Sequence, residues 1–172
     1  TFRAALRTAL RRDGCATGVA EEMNQVLLDV TGAARFVTAV YGILDPRSGR
    51  FEYVNCGHNP PLLLAADGES LLLERGGPAL GLVLDAPYER GEVTLGPGHL
   101  LALYTDGVVE PADGQGGEFG RERLESLLRG CAGQPAGDTI LSVVDATRTW
   151  AHSTGYADDF TLVVVRRDGA GA

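Results

Sequence analysis

The sequence predicts an α+β domain in which helices and antiparallel strands are segregated along the chain. Two helical patterns come first, a series of strand-like runs separated by turn residues follows, and two more helical patterns precede a last apolar strand. Regular alternation of strands and helices would instead indicate a parallel sheet, because parallel pairs need crossover connections. The 172 residues suit one domain with a substantial core, so we predict a single domain over residues 1–172.

Composition favours a soluble cytoplasmic protein. Hydrophobic residues make up 44% of the chain and charged residues 22%, as is typical of globular domains. No apolar run approaches the roughly 18 residues that span a bilayer, so we expect no membrane segment in this stretch. The net charge of −8 argues against a nucleic-acid partner, because such binding depends on Lys and Arg contacts to phosphates. Cys15, Cys56 and Cys131 form no CxxC pair, so we expect reduced thiols.

Two helices are predicted to open the chain. Apolar residues recur at helical spacing over residues 2–10 and again over residues 19–30. Thr17 is the expected N-cap of the second helix, and Gly32 is its expected stop. Because the chain starts at Thr1 inside the first helical pattern, we expect it to be part of a longer protein.

Three hairpins are predicted next, each from two strand-like runs joined by turn residues. The first joins residues 36–44 to residues 50–56, and its first strand is apolar on both faces, which predicts cover on both sides. The other two follow the same pattern and pair residues 62–66 with 69–74 around Asp67-Gly68, and residues 89–95 with 99–105 around Gly96-Pro97-Gly98.

The C-terminal part predicts two amphipathic helices and a closing strand. Residues 121–129 place three leucines on one face, and an apolar strand over residues 160–165 ends the pattern. Between them lies a helix over residues 138–150, whose apolar face is formed by Ile140, Leu141, Val144 and Trp150.

Two acidic segments each adjoin an apolar strand pattern. Asp106 follows the run that ends at Thr105, and Asp158-Asp159 precede the last strand. Carboxylates held at strand ends offer the oxygen ligands that Mg²⁺ and Mn²⁺ require. Asp106 followed by Gly107 is, by itself, more typical of an ordinary turn. The adjacent carboxylates of Asp158 and Asp159 repel each other, which a bound cation would relieve, but a capping role in a solvated loop explains them equally well.

The remaining chemical groups predict no second site. His58 lies between a glycine and Asn59-Pro60-Pro61 and is interpreted as a turn residue, and the isolated His99 and His152 are expected at the surface. Residues 113–117 are interpreted as a solvated loop. The sequence contains no nucleophile elbow, P-loop or GxGxxG motif, so hydrolases of the triad type and nucleotide-binding folds have no support.

Seven motifs follow one another along nearly the whole chain: Phe36-Val37-Thr38-Ala39, residues 41–45, Asn55 to Pro61, Gly81-Leu82, residues 104–110, Phe119-Gly120 and Asp158 to Thr161. In this order they resemble the bacterial PP2C-type (PPM) serine/threonine phosphatases, and more narrowly their SpoIIE/RsbU-like branch. The resemblance implies a four-layer α-β-β-α sandwich with two sheets packed face to face.

The resemblance also implies a site for two Mn²⁺ or Mg²⁺ ions at one end of that sandwich. Asp106 and Asp158 match metal ligands of the family, and Asp159 is an auxiliary candidate. The implied reaction is hydrolysis of phosphoserine or phosphothreonine by a water that the metals activate, without a protein nucleophile. The implied substrate is a phosphorylated STAS-domain anti-anti-sigma protein, whose dephosphorylation changes sigma-factor availability.

The match departs from the family at the start of the chain. The family carries an earlier strand whose aspartate bridges both metals, and this sequence begins after that position, so we expect the N-terminal strands to be missing here. Weak metal binding, low activity of this stretch alone, and an open sheet edge that would allow pairing in a homodimer are expected. An upstream sensor domain is expected in the parent chain. A catalytically silent PP2C-like module that binds a regulatory or phosphorylated protein remains the alternative.

Overall fold

The computed structural model describes residues 6–7, 9, 15–32, 34–152 and 159–169. Two compact units divide the chain: Thr1–Pro60 with Leu73–Thr94, and Pro61–Leu72 with Leu95–Ala172. Each unit holds one four-stranded sheet and helical structure, so the predicted α+β class is confirmed. Within the described residues, every helix is too short or too polar to cross a lipid bilayer.

The elements are labelled in chain order. The helices are α1 (Ala16–Thr31), α2 (Gly120–Gly130) and α3 (Ala136–Ala151), and a 3₁₀ turn covers Asp106–Val108. The strands are β1 (Ala39–Leu44), β2 (Arg50–Cys56), β3 (Leu62–Leu64), β4 (Ser70–Leu72), β5 (Gly76–Gly77), β6 (Gly91–Thr94), β7 (Leu100–Tyr104) and β8 (Leu162–Arg166). Leu6, Arg7 and Ala9 are helical, and the rest of the first predicted helix lies outside the described residues.

The sheet of the first unit is organised around β2. This strand pairs antiparallel with β1 and with β6, and parallel with β5. It is buried from Phe51 to Cys56, and the apolar face of α1, including Val19 and Met23, belongs to the same core cluster as Val54. The predicted first hairpin is therefore confirmed. Cover on both faces of its first strand is not, because Ile43 is 41% exposed.

The sheet of the second unit has the order β4-β3-β7-β8, and every neighbouring pair is antiparallel. Its core cluster joins strand residues such as Leu62 and Ala102 to Leu124 and Leu128 of α2 and Val143 of α3. The second predicted hairpin is confirmed as β3 and β4, with shorter strands. Helices α2 and α3 each bury one face in this core cluster, and such packing provides most of the stability of short helices.

The third predicted hairpin is wrong. The strands on either side of Gly96-Pro97-Gly98 belong to different sheets, since β6 pairs with β2 whereas β7 pairs with β3 and β8. Turn residues report a change of chain direction, whereas strand pairing depends on partners that are distant in sequence. Composition alone could not distinguish a hairpin from a connection between sheets.

Two details of the helices also differ from prediction. The N-cap of α1 is Cys15 rather than Thr17, and its Sγ accepts a hydrogen bond from the Gly18 N–H at 3.3 Å. On α3, Leu141 is 61% exposed, while Thr139 and Thr147 are fully buried. Both threonine hydroxyls donate to backbone carbonyls four residues earlier, which removes most of the cost of burying them.

The C-terminal end of α1 and the state of the cysteines agree with prediction. Gly32 ends α1 in the left-handed conformation, with φ of 58° and its N–H donating to the Leu28 carbonyl. All three cysteines are free thiols. Burial raises the pKa of Cys56 to about 12, so this thiol stays protonated and neutral at physiological pH.

The turn after β2 explains most of the motif from Asn55 to Pro61. The Asn55 side chain accepts from the His58 N–H at 2.7 Å and donates to the His58 carbonyl at 2.9 Å. Gly57 has φ of 66°, and a Cβ there would lie 2.8 Å from the Ala79 nitrogen. His58 is thus a turn residue, as predicted, with its Nδ1 3.0 Å from the Thr38 hydroxyl.

Replacing Gly57 with Ala should lower the free energy of unfolding by about 2–4 kcal/mol, because it adds left-handed strain and a clash with the Ala79 backbone. Chemical denaturation measures the change. Gly32→Ala is the matched control, since Gly32 has a similar φ of 58° but no atom within 4 Å of its Cβ position. Equal losses in the two variants would show that the close approach to Ala79 contributes nothing.

Candidate functional site

Asp106 lies where a buried strand reaches solvent. Strand β7 is part of the core, with Ala102 fully buried and Tyr104 3% exposed. The chain then leaves the sheet through Thr105, which is extended, and enters the 3₁₀ turn that Asp106 begins. The Asp106 carboxylate is exposed, and its Oδ1 accepts a hydrogen bond from the Gly107 N–H at 2.9 Å. A rigid strand end therefore presents this carboxylate to solvent.

The hydroxyl of Thr105 ties the Asp106 turn to the segment before β8. Its Oγ1 donates to the Asp159 carbonyl at 2.8 Å and accepts from the Thr161 N–H at 3.0 Å. The Thr105 N–H donates to the Thr161 carbonyl at 3.1 Å, which extends the β7–β8 ladder beyond the Tyr104–Leu162 pair. Two acidic positions separated by more than fifty residues are thus fixed at one end of the same strand pair.

Gly107 makes this approach possible. A Cβ on Gly107 would lie 2.6 Å from the Asp159 carbonyl oxygen and 3.0 Å from its carbon. Any side chain at this position would displace the backbone of Asp159. The glycine of the Thr105-Asp106-Gly107 motif is required by packing, as well as being favourable in a turn.

The predicted ligands divide into two groups. The backbones of Asp106 and Asp159 lie near each other where β7 ends and β8 begins, and carboxylate oxygens are ligands that suit Mg²⁺ or Mn²⁺. Asp158 lies outside the described residues. Among the residues that are described, no three His, Cys, Asp or Glu side chains group closely enough to hold a metal ion. The carboxylates of Asp106 and Asp159 are the type of ligand that a hard cation prefers, but a complete metal site needs further ligands.

The histidines do not join this group. His152 is the exposed C-cap of α3, as predicted for a surface residue. His99 differs from prediction, because its Nδ1 atom is buried and has no hydrogen-bond partner in the described part of the chain. Isolated histidines carry no sequence signal that separates these two environments.

Residues 109–120 form an internally hydrogen-bonded loop directly after the Asp106 turn. At its tip, Asp113 Oδ1 accepts hydrogen bonds from the Gln115 and Gly117 N–H groups, both at 2.8 Å. These hydrogen bonds lower the pKa of Asp113, because they favour its charged carboxylate. The bond from the Gly117 N–H has the larger effect, and the bond from the Gln115 N–H has the next largest. Residues 113–117, predicted as a solvated loop, are exposed for the most part but internally hydrogen-bonded.

Comparison with known proteins identifies the class and then the family. The SiaA-PP2C domain of Pseudomonas aeruginosa superposes with a TM-score of 0.84 at 26% identity, covering 97% of this chain and 68% of that one. The fold is therefore the PP2C-type phosphatase fold. The family described as stage II sporulation protein E (SpoIIE) matches residues 1–168. The chain belongs to this family, and the resemblance to its SpoIIE/RsbU-like branch is confirmed.

Two curated relatives match most of the chain. Protein IcfG of Synechocystis is 31% identical over 137 residues, covering 78% of this chain and 21% of that protein. Phosphoserine phosphatase RsbU of Bacillus subtilis is 27% identical over 150 residues, covering 87% of this chain and 44% of that protein. The chain thus spans about a fifth of the first relative and less than half of the second.

Some solved structures of this fold are described with metals. One is a complex with magnesium at 20% identity, and another was presoaked with manganese at 16% identity. At these identities the likeness shows the fold alone. Divalent metals therefore occur with other proteins of this fold.

Replacing Gly107 with Ala should push the Asp159 backbone away from the Asp106 turn and lower the free energy of unfolding by about 1–3 kcal/mol. Faster amide exchange at Thr161, which donates to the Thr105 hydroxyl, should accompany the loss. The control is Gly114→Ala in the neighbouring loop, where no atom lies within 4 Å of the Cβ position. The packing role of Gly107 is refuted if both variants keep the exchange rate and stability of the wild type.

Proposed function

We propose that this chain is the catalytic part of a metal-dependent protein serine/threonine phosphatase. The observation that carries the proposal is the link from the Thr105 hydroxyl to the backbone of Asp159, which holds Asp106 beside the segment that precedes β8. Membership of the SpoIIE family supports the same reaction class. The longer curated relatives support the further proposal that residues 1–172 form one domain of a larger protein. We propose that this larger protein is a signalling protein with a sensor domain.

Asp106, Asp158 and Asp159 are the proposed ligands for Mn²⁺ or Mg²⁺. When bound, such cations supply the acidity that activates a water for attack on phosphorus, and they neutralise charge on the phosphoryl oxygens. The chain's own contribution is to hold the backbones of Asp106 and Asp159 together where β7 ends and β8 begins, which reduces the reorganisation needed for binding. The Thr105 hydroxyl already makes two hydrogen bonds, so its role is to orient the two segments.

The proposed substrate is a phosphoserine or phosphothreonine on a STAS-domain anti-anti-sigma protein. The name of RsbU, a phosphoserine phosphatase, supports the serine ester as the reacting group. Asp106 is exposed at a strand end, so a cation held there would be open to solvent and within reach of a phosphate on a large protein substrate.

One observation favours a second candidate, a PP2C-like module that binds a partner without hydrolysis. The described residues supply fewer than three clustered ligands, which is too few to hold two dications strongly. This candidate and the phosphatase differ in whether the Asp106 carboxylate is needed for turnover.

Asp106→Asn separates the two candidates. The substitution keeps size and removes charge, so Mn²⁺-dependent release of phosphate from a phosphoserine STAS protein should fall by at least about a hundredfold, as expected for loss of a metal ligand. Chelation with EDTA should abolish wild-type activity, and added Mn²⁺ should restore it. The same assay on this chain and on its full-length parent shows how much of the parent's activity residues 1–172 retain on their own.

The control is Asp67→Asn, which changes an exposed carboxylate in the β3–β4 turn whose Oδ1 accepts from the Glu69 N–H. It should keep wild-type activity. Equal activity in Asp106→Asn and the wild type would remove Asp106 from the site. Absence of metal-dependent activity even in the full-length parent would favour the silent module.

A further inference from the structure

The loop of residues 109–120 is attached to the backbone of Asp106. The Val109 and Glu110 N–H groups donate to the Asp106 carbonyl at 2.8 and 2.9 Å. The position of the Asp106 peptide therefore depends on where this loop begins. Because the side chain of Asp106 is the candidate ligand, contacts that hold the loop in place also help to position that ligand.

The loop folds back on itself, so that residues 109–120 form a narrow antiparallel ribbon. The Gly120 N–H donates to the Val109 carbonyl and the Phe119 N–H to the Pro111 carbonyl, both at 2.8 Å. Ala112 and Glu118 form an isolated antiparallel bridge above them. Four glycines occur between residues 114 and 120, and this composition gives the unattached ribbon a large conformational entropy.

Trp150 of α3 packs against the loop of residues 109–120. Its indole N–H donates to the Gly117 carbonyl at 2.8 Å, and its ring meets Phe119 edge to face with centroids 6.4 Å apart. The guanidinium of Arg123 lies 4.0 Å from the Trp150 ring centroid and donates to the Phe119 carbonyl at 2.9 Å. One side chain thus combines a hydrogen bond, an aromatic contact and a cation–π contact.

We propose that Trp150 is a positioning residue for the Asp106 site. Its contacts with Gly117 and Phe119 hold the loop in place. The loop in turn positions the Val109 and Glu110 N–H groups, which donate to the Asp106 carbonyl. Trp150 touches no reacting group in this scheme and acts only through the loop. The consequence for metal binding rests on the proposed function, whereas the consequence for the Asp106 backbone does not.

Amide hydrogen exchange in the metal-free chain tests the mechanical step. Trp150→Phe keeps a ring and removes the indole N–H, and it should speed exchange at Val109, Glu110 and Gly120 at least about threefold. Trp150→Ala removes all three contacts and should give a larger increase. Amides within α3 should keep their wild-type protection in Trp150→Phe, which separates release of the loop from unfolding of the helix.

Leu141→Ala is the matched control, because Leu141 lies on the same helix and is 61% exposed. It should leave exchange at Val109 and Glu110 unchanged. Unchanged exchange at these two amides in Trp150→Phe, with α3 intact, would overturn the proposal. So would an equal increase in Leu141→Ala.

Calorimetric titration with Mn²⁺ then distinguishes this inference from the proposed function. If the wild type binds Mn²⁺, Trp150→Phe should weaken the affinity at least about threefold without a change in stoichiometry. Wild-type binding with identical affinity in Trp150→Phe would refute the link from Trp150 to the ligand. A wild type and full-length parent that bind no Mn²⁺ would refute the proposed function, and exchange at Val109 and Glu110 would still decide whether Trp150 positions Asp106.

Discussion

The hydroxyl of Thr105 is the contact on which the candidate site depends. It bridges the carbonyl of Asp159 and the N–H of Thr161, and so joins the end of β7 to the residues before β8. Valine, which has the same shape, would leave both backbone groups without this partner. The β7–β8 ladder brings the two segments together, and the Thr105 hydroxyl with the bare Cα of Gly107 sets how closely they approach. The motif therefore combines one candidate ligand with two residues that place it.

The loop after Asp106 extends the same principle. A carboxylate at a strand end is useful to a cation only if its backbone does not move, and exposed glycine-rich chain does not provide that by itself. Here the ribbon is held at its tip by Asp113 and from outside by Trp150, and it returns hydrogen bonds to the Asp106 carbonyl. Residues far from the candidate ligand in sequence thereby contribute to its order.

Much of the fold was predictable because its local signals are strong. Helical periodicity located α2 and α3 to within about two residues, and turn residues located the first two hairpins. The errors have a common cause. The partner of β6, the exposure of Leu141 and Ile43, and the buried nitrogen of His99 all depend on what packs against a segment, and no local pattern records that. The position of Asp159 beside Gly107 likewise depends on tertiary packing that no local pattern records.

By itself, the sequence determined the order of most elements, because periodicity and turn chemistry are properties of neighbouring residues. The class of the protein and the acidic candidates for a metal came from the resemblance of its ordered motifs to a known family. Only the tertiary structure decided that β6 and β7 separate into two sheets, that Thr105 joins Asp106 to Asp159, and that Trp150 fastens the intervening loop. These contacts link residues far apart in the chain, so they exist only once the strands have paired and the helices have packed.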